Sequence, residues 1–189
     1  MHRAQGTVHR AQGTDAGRRE LNIIHKVSIC NNTGETGGNL PEGSIERAVK
    51  KTLAAENVDM VCAVNVLVTG DEGIRDYNRD FRGIDEATDV ISFPMQIFKT
   101  AGWEGLSDPE FDEDTGDLPL GDIVISSESV KSQAVEYGNT IDHEASYLII
   151  HSTLHLLGYD HDNEVSEKVM HEKCENILYE LRGGHKNDQ

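Results

Sequence analysis

The run HSTLHLLGYDH, residues 151–161, contains three histidines whose spacing suits a metal ion. His151 and His155 are four residues apart, so on a helix they project from one face, one turn above the other. Gly158 can end that helix and reverse the chain, because glycine adopts the left-handed conformation without a Cβ clash, and His161 then returns to the same point. Three neutral imidazoles with an open fourth position are the usual ligands of a catalytic zinc ion. The spacing therefore predicts one zinc ion per chain, although nickel and copper also accept imidazole ligands.

The residues beside the histidines bear on the reaction. The same spacing occurs in the metzincin proteases, so a metal-dependent peptidase-like hydrolase is one alternative. Those enzymes place a glutamate, their general base, directly after the first histidine, whereas this chain has Ser152, whose hydroxyl is not a base. We expect Ser152 to be a supporting residue, and Glu144, seven residues before His151, to be a supporting or first-turn carboxylate. We expect Asp160 either to orient an imidazole or to cap the turn after Gly158. The missing glutamate counts against proteolysis.

A helical pattern surrounds the first two histidines. It runs over residues 140–157, with Thr140 as the predicted N-cap and Gly158 as the terminator. Elsewhere, segments with helical spacing of apolar residues alternate with short valine- and isoleucine-rich segments typical of strands. Further helices are predicted at 42–57, 71–81, 127–137 and 164–182, and strands at 23–30, 58–69, 89–93 and 123–126. The metal site is thus predicted on a long helix and on the turn that follows it.

The length of the chain suits one domain, which we expect at residues 21–183. The start contains a direct repeat, HRAQGT, and we interpret residues 1–20 as a tag-like or disordered leader. Residues 95–119 are predicted to form an acidic loop, because Glu104–Asp117 holds seven acidic residues and no lysine or arginine. Residues 184–189 are predicted to be a disordered tail.

The composition narrows the class of protein. The chain has 17 lysines and arginines against 34 acidic residues, a formal net charge of -17, which argues against a broad electrostatic grip on nucleic acid or anionic lipid. Its apolar runs are too short to span a bilayer, so no membrane partner is expected. The three cysteines are odd in number and contain no CxxC pair, a usage that suits a reducing cytoplasm.

Several stretches resemble the YbeY family of bacterial endoribonucleases. HSTLHLLGYDH resembles the family's histidine signature, with Ser152 where glycine is usual. NRDFRGIDEATDVISFP (78–94) resembles its helix, arginine and following strand, with Ala87 where proline is common, and LGDIVIS (120–126) resembles its next strand. The last predicted helix also fits, so the resemblance covers residues 22–182.

The resemblance implies a fold, a metal and a reaction. The fold is α/β, of the α+β type: a single domain with a small mixed sheet of about four strands packed with about five helices. Zinc is held by His151, His155 and His161. The implied activity is single-strand-specific endoribonuclease cleavage in ribosomal RNA maturation and small-subunit quality control, with ribosomal RNA and proteins of the small subunit as partners.

The resemblance also carries over Arg82 as a functionally needed residue, and we predict Arg82 and His151 to be catalytic. RNA cleavage passes through a phosphorane with growing negative charge, which a metal and a guanidinium both stabilise. Arginine stays charged and presents a fork that matches phosphate oxygens. The alternative is a surface arginine paired with Asp80 or Asp85. The sequence assigns no general base and no RNA-binding residues.

A third possibility is a non-catalytic ribosome assembly factor with a structural zinc. Structural zinc sites usually close with a fourth protein ligand, often a cysteine. Cys174, on the last predicted helix, is the candidate for that ligand. An open fourth position would argue against this alternative.

Overall fold

A four-stranded sheet and five α-helices form most of the structure, a computed structural model that describes residues 23–33 and 38–184. The predicted leader, residues 1–20, and all but the first residue of the predicted tail, 184–189, lie outside the described residues, so that division of the chain stays a prediction. The strands are β1 (Lys26–Asn32), β2 (Cys62–Thr69), β3 (Val90–Pro94), β4 (Ile97–Phe98), β5 (Leu106–Ser107) and β6 (Leu118–Ser126). The helices are α1 (Glu42–Ala55), α2 (Asp71–Arg82), α3 (Ser127–Tyr137), α4 (Ile141–Leu156) and α5 (Glu164–Leu181), with a 3-10 helix at Trp103–Gly105.

The main sheet is mixed, with strand order β1-β2-β6-β3. β1, β2 and β6 are parallel, and the edge strand β3 runs antiparallel to β6. The alternate valines of β2 (Val64, Val66 and Val68) are buried in the core that α1, α4 and α5 share with this face of the sheet. α2 packs on the opposite face, where Ile74 contacts Ile91 and Val124. The predicted α/β fold, with four strands in a mixed sheet and five helices, is confirmed.

α4 is the central helix and the best-anchored element of the site. It packs against α1, α3, α5 and β3, and its residues Ile149, Ile150 and Leu154 are fully buried. A helix that is apolar around most of its circumference belongs inside a domain. Thr140 caps its start, as predicted, with its side-chain oxygen accepting a hydrogen bond from His143 N at 3.1 Å. No helix within the described residues is long and apolar enough to cross a bilayer.

The acidic segment, residues 95–119, is only partly a loop. β4 and β5 pair as a small antiparallel sheet within it, and the 3-10 helix lies between them. This structure forms because Phe98, Trp103 and Leu106 pack against the main core. In the sequence, the many acidic residues around them obscure this apolar pattern. The side chains of residues 108–114 are exposed, as expected of a solvated acidic loop.

β6 begins at Leu118 rather than at the predicted residue 123. Pro119 and Gly121 look like turn residues, but Leu118 and Leu120 are fully buried and extend the strand. Glycine is needed at 121 because a Cβ there would lie 2.2 Å from the carbonyl oxygen of Phe93 on the neighbouring strand. The turn-like residues therefore mark a close approach of β3 to β6.

Candidate metal centre

The three histidines converge at the end of α4. His151 and His155 project from its last turns, and His161 returns from the following turn, so that one ligand atom of each lies within 4.8 Å of the others. The Nε2 atoms of His151 and His155 are 3.1 Å apart. Two nitrogens bound to one tetrahedral zinc at 2.0–2.1 Å are separated by about 3.3 Å. The donor set therefore fits a single divalent ion.

A backbone contact sets the tautomer of His155. Its Nδ1 lies 2.8 Å from the carbonyl oxygen of Tyr159, and since a carbonyl only accepts, Nδ1 carries the proton. Nε2 of His155 then presents its lone pair toward Nε2 of His151. Metal-ligating histidines almost always donate their other ring N–H in this way, which fixes the ring orientation.

Burial keeps the two helical histidines neutral. Desolvation, with smaller contributions from His155 and His161, lowers the pKa of His151 to about 4, against an opposing effect of Asp89. Desolvation also lowers the pKa of His155, and the hydrogen bond to Tyr159 opposes that shift. Neutral imidazole is the form that binds a metal. Both rings are therefore in the metal-binding state near pH 7.

The turn that carries His161 requires a glycine. Gly158 has φ +80°, in the left-handed region, and a Cβ at this position would lie 2.5 Å from Cβ of Phe98. Asp160 Oδ1 accepts a hydrogen bond from the backbone N of His161 at 2.7 Å. Two roles were expected for Asp160, and this hydrogen bond is the one expected of a residue that caps the turn.

Arg82, the last residue of α2, lies in the same cavity as the three histidines. Its charge contributes to the lowered pKa of His155, after burial and His161. The expected alternative partners of Arg82 are engaged elsewhere: Asp85 pairs with Arg75, and Asp80 pairs with Arg79. Within the described part of the chain, no carboxylate forms a salt bridge with Arg82, and the residue is exposed.

The cavity is a cleft of about 780 Å³ between β3 and the end of α4. Residues of the edge strand form one wall, and the histidines and the turn form the other. Asp89 and Tyr147 lie in it although the sequence assigned them no chemistry. Asp89 accepts hydrogen bonds from Val90 N at 2.8 Å and from Gln133 Nε2 at 3.0 Å. Its position directly before β3, a strand that leads to the site, is the sequence signal that could have identified it.

The remaining predicted residues lie behind or away from the cleft. Ser152 is fully buried at the back of the cavity, and its hydroxyl has no hydrogen-bond partner among the described residues. Glu144 lies in the first turn of α4, where it accepts a hydrogen bond from Asn139 Nδ2 at 3.2 Å, and it does not line the cavity. Within the described residues, the group able to hold a metal contains the three histidines and not Cys174. Burial raises the pKa of the Cys174 thiol to about 12, which disfavours a thiolate ligand.

The sequence of this chain is similar to that of one family of known proteins. The family model described as "Endoribonuclease YbeY" matches residues 30–182. A protein of that name from Clostridium kluyveri is 43% identical over 141 residues, which cover 71% of this chain and 83% of the relative. Another, from Caldanaerobacter subterraneus, is 44% identical over 140 residues, covering 74% and 87%. The solution structure of TM1509 from Thermotoga maritima superimposes with a TM-score of 0.51 at 28% identity, covering 83% of this chain and 89% of that one.

Proposed function

Since the chain belongs to the YbeY family of endoribonucleases, we propose that it is a zinc-dependent, single-strand-specific endoribonuclease of ribosomal RNA maturation and small-subunit quality control. Membership in the family makes the chain a hydrolytic nuclease with an RNA substrate. The observation that carries the proposal is the pairing, in one cleft, of three converging histidines with an arginine that forms no salt bridge to a carboxylate of the described residues.

His151, His155 and His161 are the proposed metal ligands. Three neutral nitrogen donors favour zinc over calcium or magnesium, which prefer oxygen, while nickel and copper also accept imidazole. When bound, the ion supplies Lewis-acid stabilisation of the negative charge that develops on a phosphoryl oxygen. Burial, which keeps the His151 ring neutral, and the Tyr159 contact, which orients the His155 ring, support this assignment.

Arg82 is the proposed phosphate contact. A guanidinium at the rim of the cleft can bind two oxygens of one phosphate through parallel N–H groups, and it strengthens that contact as charge grows on the phosphorane. Asp80 and Asp85 are paired with other arginines, so neither neutralises Arg82. Arg82 thereby supplies a positive charge to a cleft that Asp89, Asp160 and Asp162 also line.

The proposal of small-subunit partners rests on an acidic surface segment outside the cleft. Residues 108–114 hold five exposed acidic side chains on one segment (Asp108, Glu110, Asp112, Glu113 and Asp114). A surface of one charge sign steers association with a partner of the opposite sign. We propose that this segment, residues 108–114, contacts a basic protein of the small ribosomal subunit, and that the protein works in the cytoplasm, as its three free cysteines suit.

Neither alternative function gains support from the site. A peptidase-like hydrolase needs a carboxylate after the first histidine, and Ser152 is fully buried there. A structural zinc needs a fourth protein ligand, and Cys174 is not part of the histidine group.

The deciding experiment is cleavage of a labelled RNA with a single-stranded tail by identically prepared proteins. Wild type should cut; His155→Ala should fail and lose zinc; Arg82→Ala should fail and keep zinc. Arg47→Ala is the control, because Arg47 is an exposed arginine of α1 that lies beside Asp142 and does not line the cleft, and it should cut like wild type. Equal cleavage by all four proteins would reveal a contaminant and overturn the proposal.

A further inference from the structure

Tyr159 connects the metal centre to a charged pair that lies outside it. Its carbonyl oxygen accepts the Nδ1 proton of His155 at 2.8 Å, and its phenolic hydroxyl donates to Glu56 Oε2 at 2.7 Å. Glu56 follows directly after α1, far from His155 in the chain. One residue therefore couples the orientation of an imidazole to a carboxylate at the end of α1.

The carboxylate of Glu56 is buried and fully engaged. Its side chain is only 6% exposed, and its second oxygen accepts a hydrogen bond from Lys173 Nζ of α5 at 2.5 Å. The Lys173 ammonium also lies 5.1 Å from the centroid of the Tyr159 ring, within the range of a cation–π contact. Each of the three side chains contacts the other two. A buried carboxylate with a cationic partner and two hydrogen bonds resists displacement, because moving it strands a charge away from water.

The chain before the 3-10 helix covers this cluster. The backbone N of Gly102 donates to the carbonyl oxygen of Leu157 at 3.0 Å. A Cβ on Gly102 would lie 3.0 Å from the Tyr159 hydroxyl and 3.3 Å from Glu56 Oε2. The tyrosine side chain is thus held between Glu56, Lys173 and the backbone at Gly102, with little room to move.

We propose that Glu56 and Lys173 are positioning residues of the metal centre. They hold Tyr159, and through its backbone they fix the tautomer of His155 and the path of the chain to His161. Neither residue lines the cleft, so neither touches the ion or the RNA. The inference deepens the metal site of the proposed function and rests on it.

The expected consequence is on the ligand itself. If Tyr159 shifts, the Nδ1 proton of His155 loses its acceptor, and the ring is free to rotate or to move the proton to Nε2, where it blocks the metal. Loss of such a supporting partner weakens metal binding by roughly 10- to 100-fold. If the salt bridge were purely structural, its loss would instead lower the unfolding temperature and leave the zinc affinity of the folded protein unchanged.

The test compares zinc affinity, measured by competition with a chromophoric chelator, in wild type, Tyr159→Phe, Glu56→Ala, Lys173→Met and Lys173→Arg. The first three variants should bind zinc roughly 10- to 100-fold more weakly, and Lys173→Arg, which keeps the cation, should recover most of the loss. Lys51→Met is the matched control, because Lys51 and Glu180 form another ion pair between α1 and α5, with an N–O distance of 2.8 Å, that includes neither Glu56 nor Lys173. It should bind zinc like wild type.

A second measurement needs no metal and no RNA. Nitrogen-detected NMR of the metal-free proteins should find His155 protonated at Nδ1 in wild type and Lys51→Met, and partly at Nε2 in Tyr159→Phe and Glu56→Ala. Unchanged zinc affinity and an unchanged tautomer in Tyr159→Phe, the variant least able to disturb folding, would overturn the inference. If wild type bound no zinc, the proposed function would fall, and the tautomer alone would decide whether Glu56 positions His155.

Discussion

Single residues set the charge and the orientation of the groups that line the cleft. Burial lowers the pKa of His151 to about 4 and also lowers that of His155, so neither ring must lose a proton near pH 7. The carbonyl of Tyr159 orients one of the rings. Arg82, by contrast, forms no salt bridge with the nearby aspartates, because Arg75 and Arg79 are paired with them.

Arg82 is expected to act through the shape of its guanidinium as well as its charge. Arg82→Ala should lower the cleavage rate by roughly 100-fold or more, the typical cost of removing one donor that stabilises developing charge. Arg82→Lys should recover part of that loss, because lysine keeps the charge but not the two-pronged contact. Single-turnover cleavage rates with zinc-loaded proteins measure both. Full activity of Arg82→Ala would show that another group binds the phosphate.

His25 should make the stability depend on pH. It is 7% exposed, its Nδ1 has no partner among the described residues, and burial, assisted by the charge of Lys50, lowers its pKa below 6.5. Below pH 6.5 the unfolded chain therefore binds a proton that the folded chain excludes, so the free energy of unfolding decreases as the pH falls. The slope is at most about 1.4 kcal/mol per pH unit for one group.

His25→Gln removes this group and leaves the other histidines in place. Urea unfolding at pH 7.5 and 5.5 should show a larger loss of stability for wild type than for His25→Gln. Equal losses in the two proteins would mean that His25 is protonated in the folded state.

Different elements of the fold position the three histidines. α4 supplies two histidines from the centre of the core, and the turn after it supplies the third. The segment 95–119 supports that turn from outside: Phe98 packs against Gly158, and Gly102 bonds the carbonyl of Leu157. A segment whose composition predicts a solvated acidic loop is therefore also a structural support of the candidate centre.

Gly158→Ala tests this support. Alanine in the left-handed region costs about 1–2 kcal/mol, and a Cβ 2.5 Å from Phe98 adds an overpacking cost of about 1–3 kcal/mol. Gly138→Ala is the control, because Gly138 has φ +70° but no atom within 4 Å of an added Cβ, so only the first cost applies. Chemical denaturation should rank Gly158→Ala below Gly138→Ala in stability, and zinc affinity should fall only in Gly158→Ala. The same loss of stability in both variants would remove the role assigned to Phe98.

For the molecule as a whole, the metal should act as a folding ligand. An ion that binds the folded state alone stabilises it by about 2.7 kcal/mol at a free concentration 100 times its Kd. A chelator should therefore lower the thermal unfolding temperature of wild type, and added zinc should restore it. His155→Ala should show neither change. A chelator effect of equal size in that variant would place the bound ion elsewhere.

The acidic surface should govern association with a basic partner. Replacing Asp108, Glu110, Glu113 and Asp114 by their amides should weaken binding to basic small-subunit proteins and reduce its salt dependence, because fewer charges contribute to the attraction. RNA cleavage should stay unchanged, since none of these residues lines the cleft. An unaltered salt dependence would exclude this segment as the docking surface.

The sequence by itself determined the local geometry of this protein. The spacing of His151, His155 and Gly158 follows from the period of the α-helix and the freedom of glycine, so it predicted the convergence of the histidines. The apolar periods likewise predicted four strands and five helices, within a few residues at most ends. Periodicity and capping act over a few neighbouring residues, and a sequence displays them directly.

Only the tertiary structure decided which distant residues meet. Tyr159 and Glu56 are separated by 103 residues, and Lys173 and Glu56 by 117, and no local pattern marks any of them as partners. The strand order, the support of the turn by Phe98 and the lack of a salt bridge at Arg82 among the described residues likewise depend on how the elements pack. Such contacts form because burial leaves each charged or polar group few possible partners, and only the packed chain shows which of them is within reach.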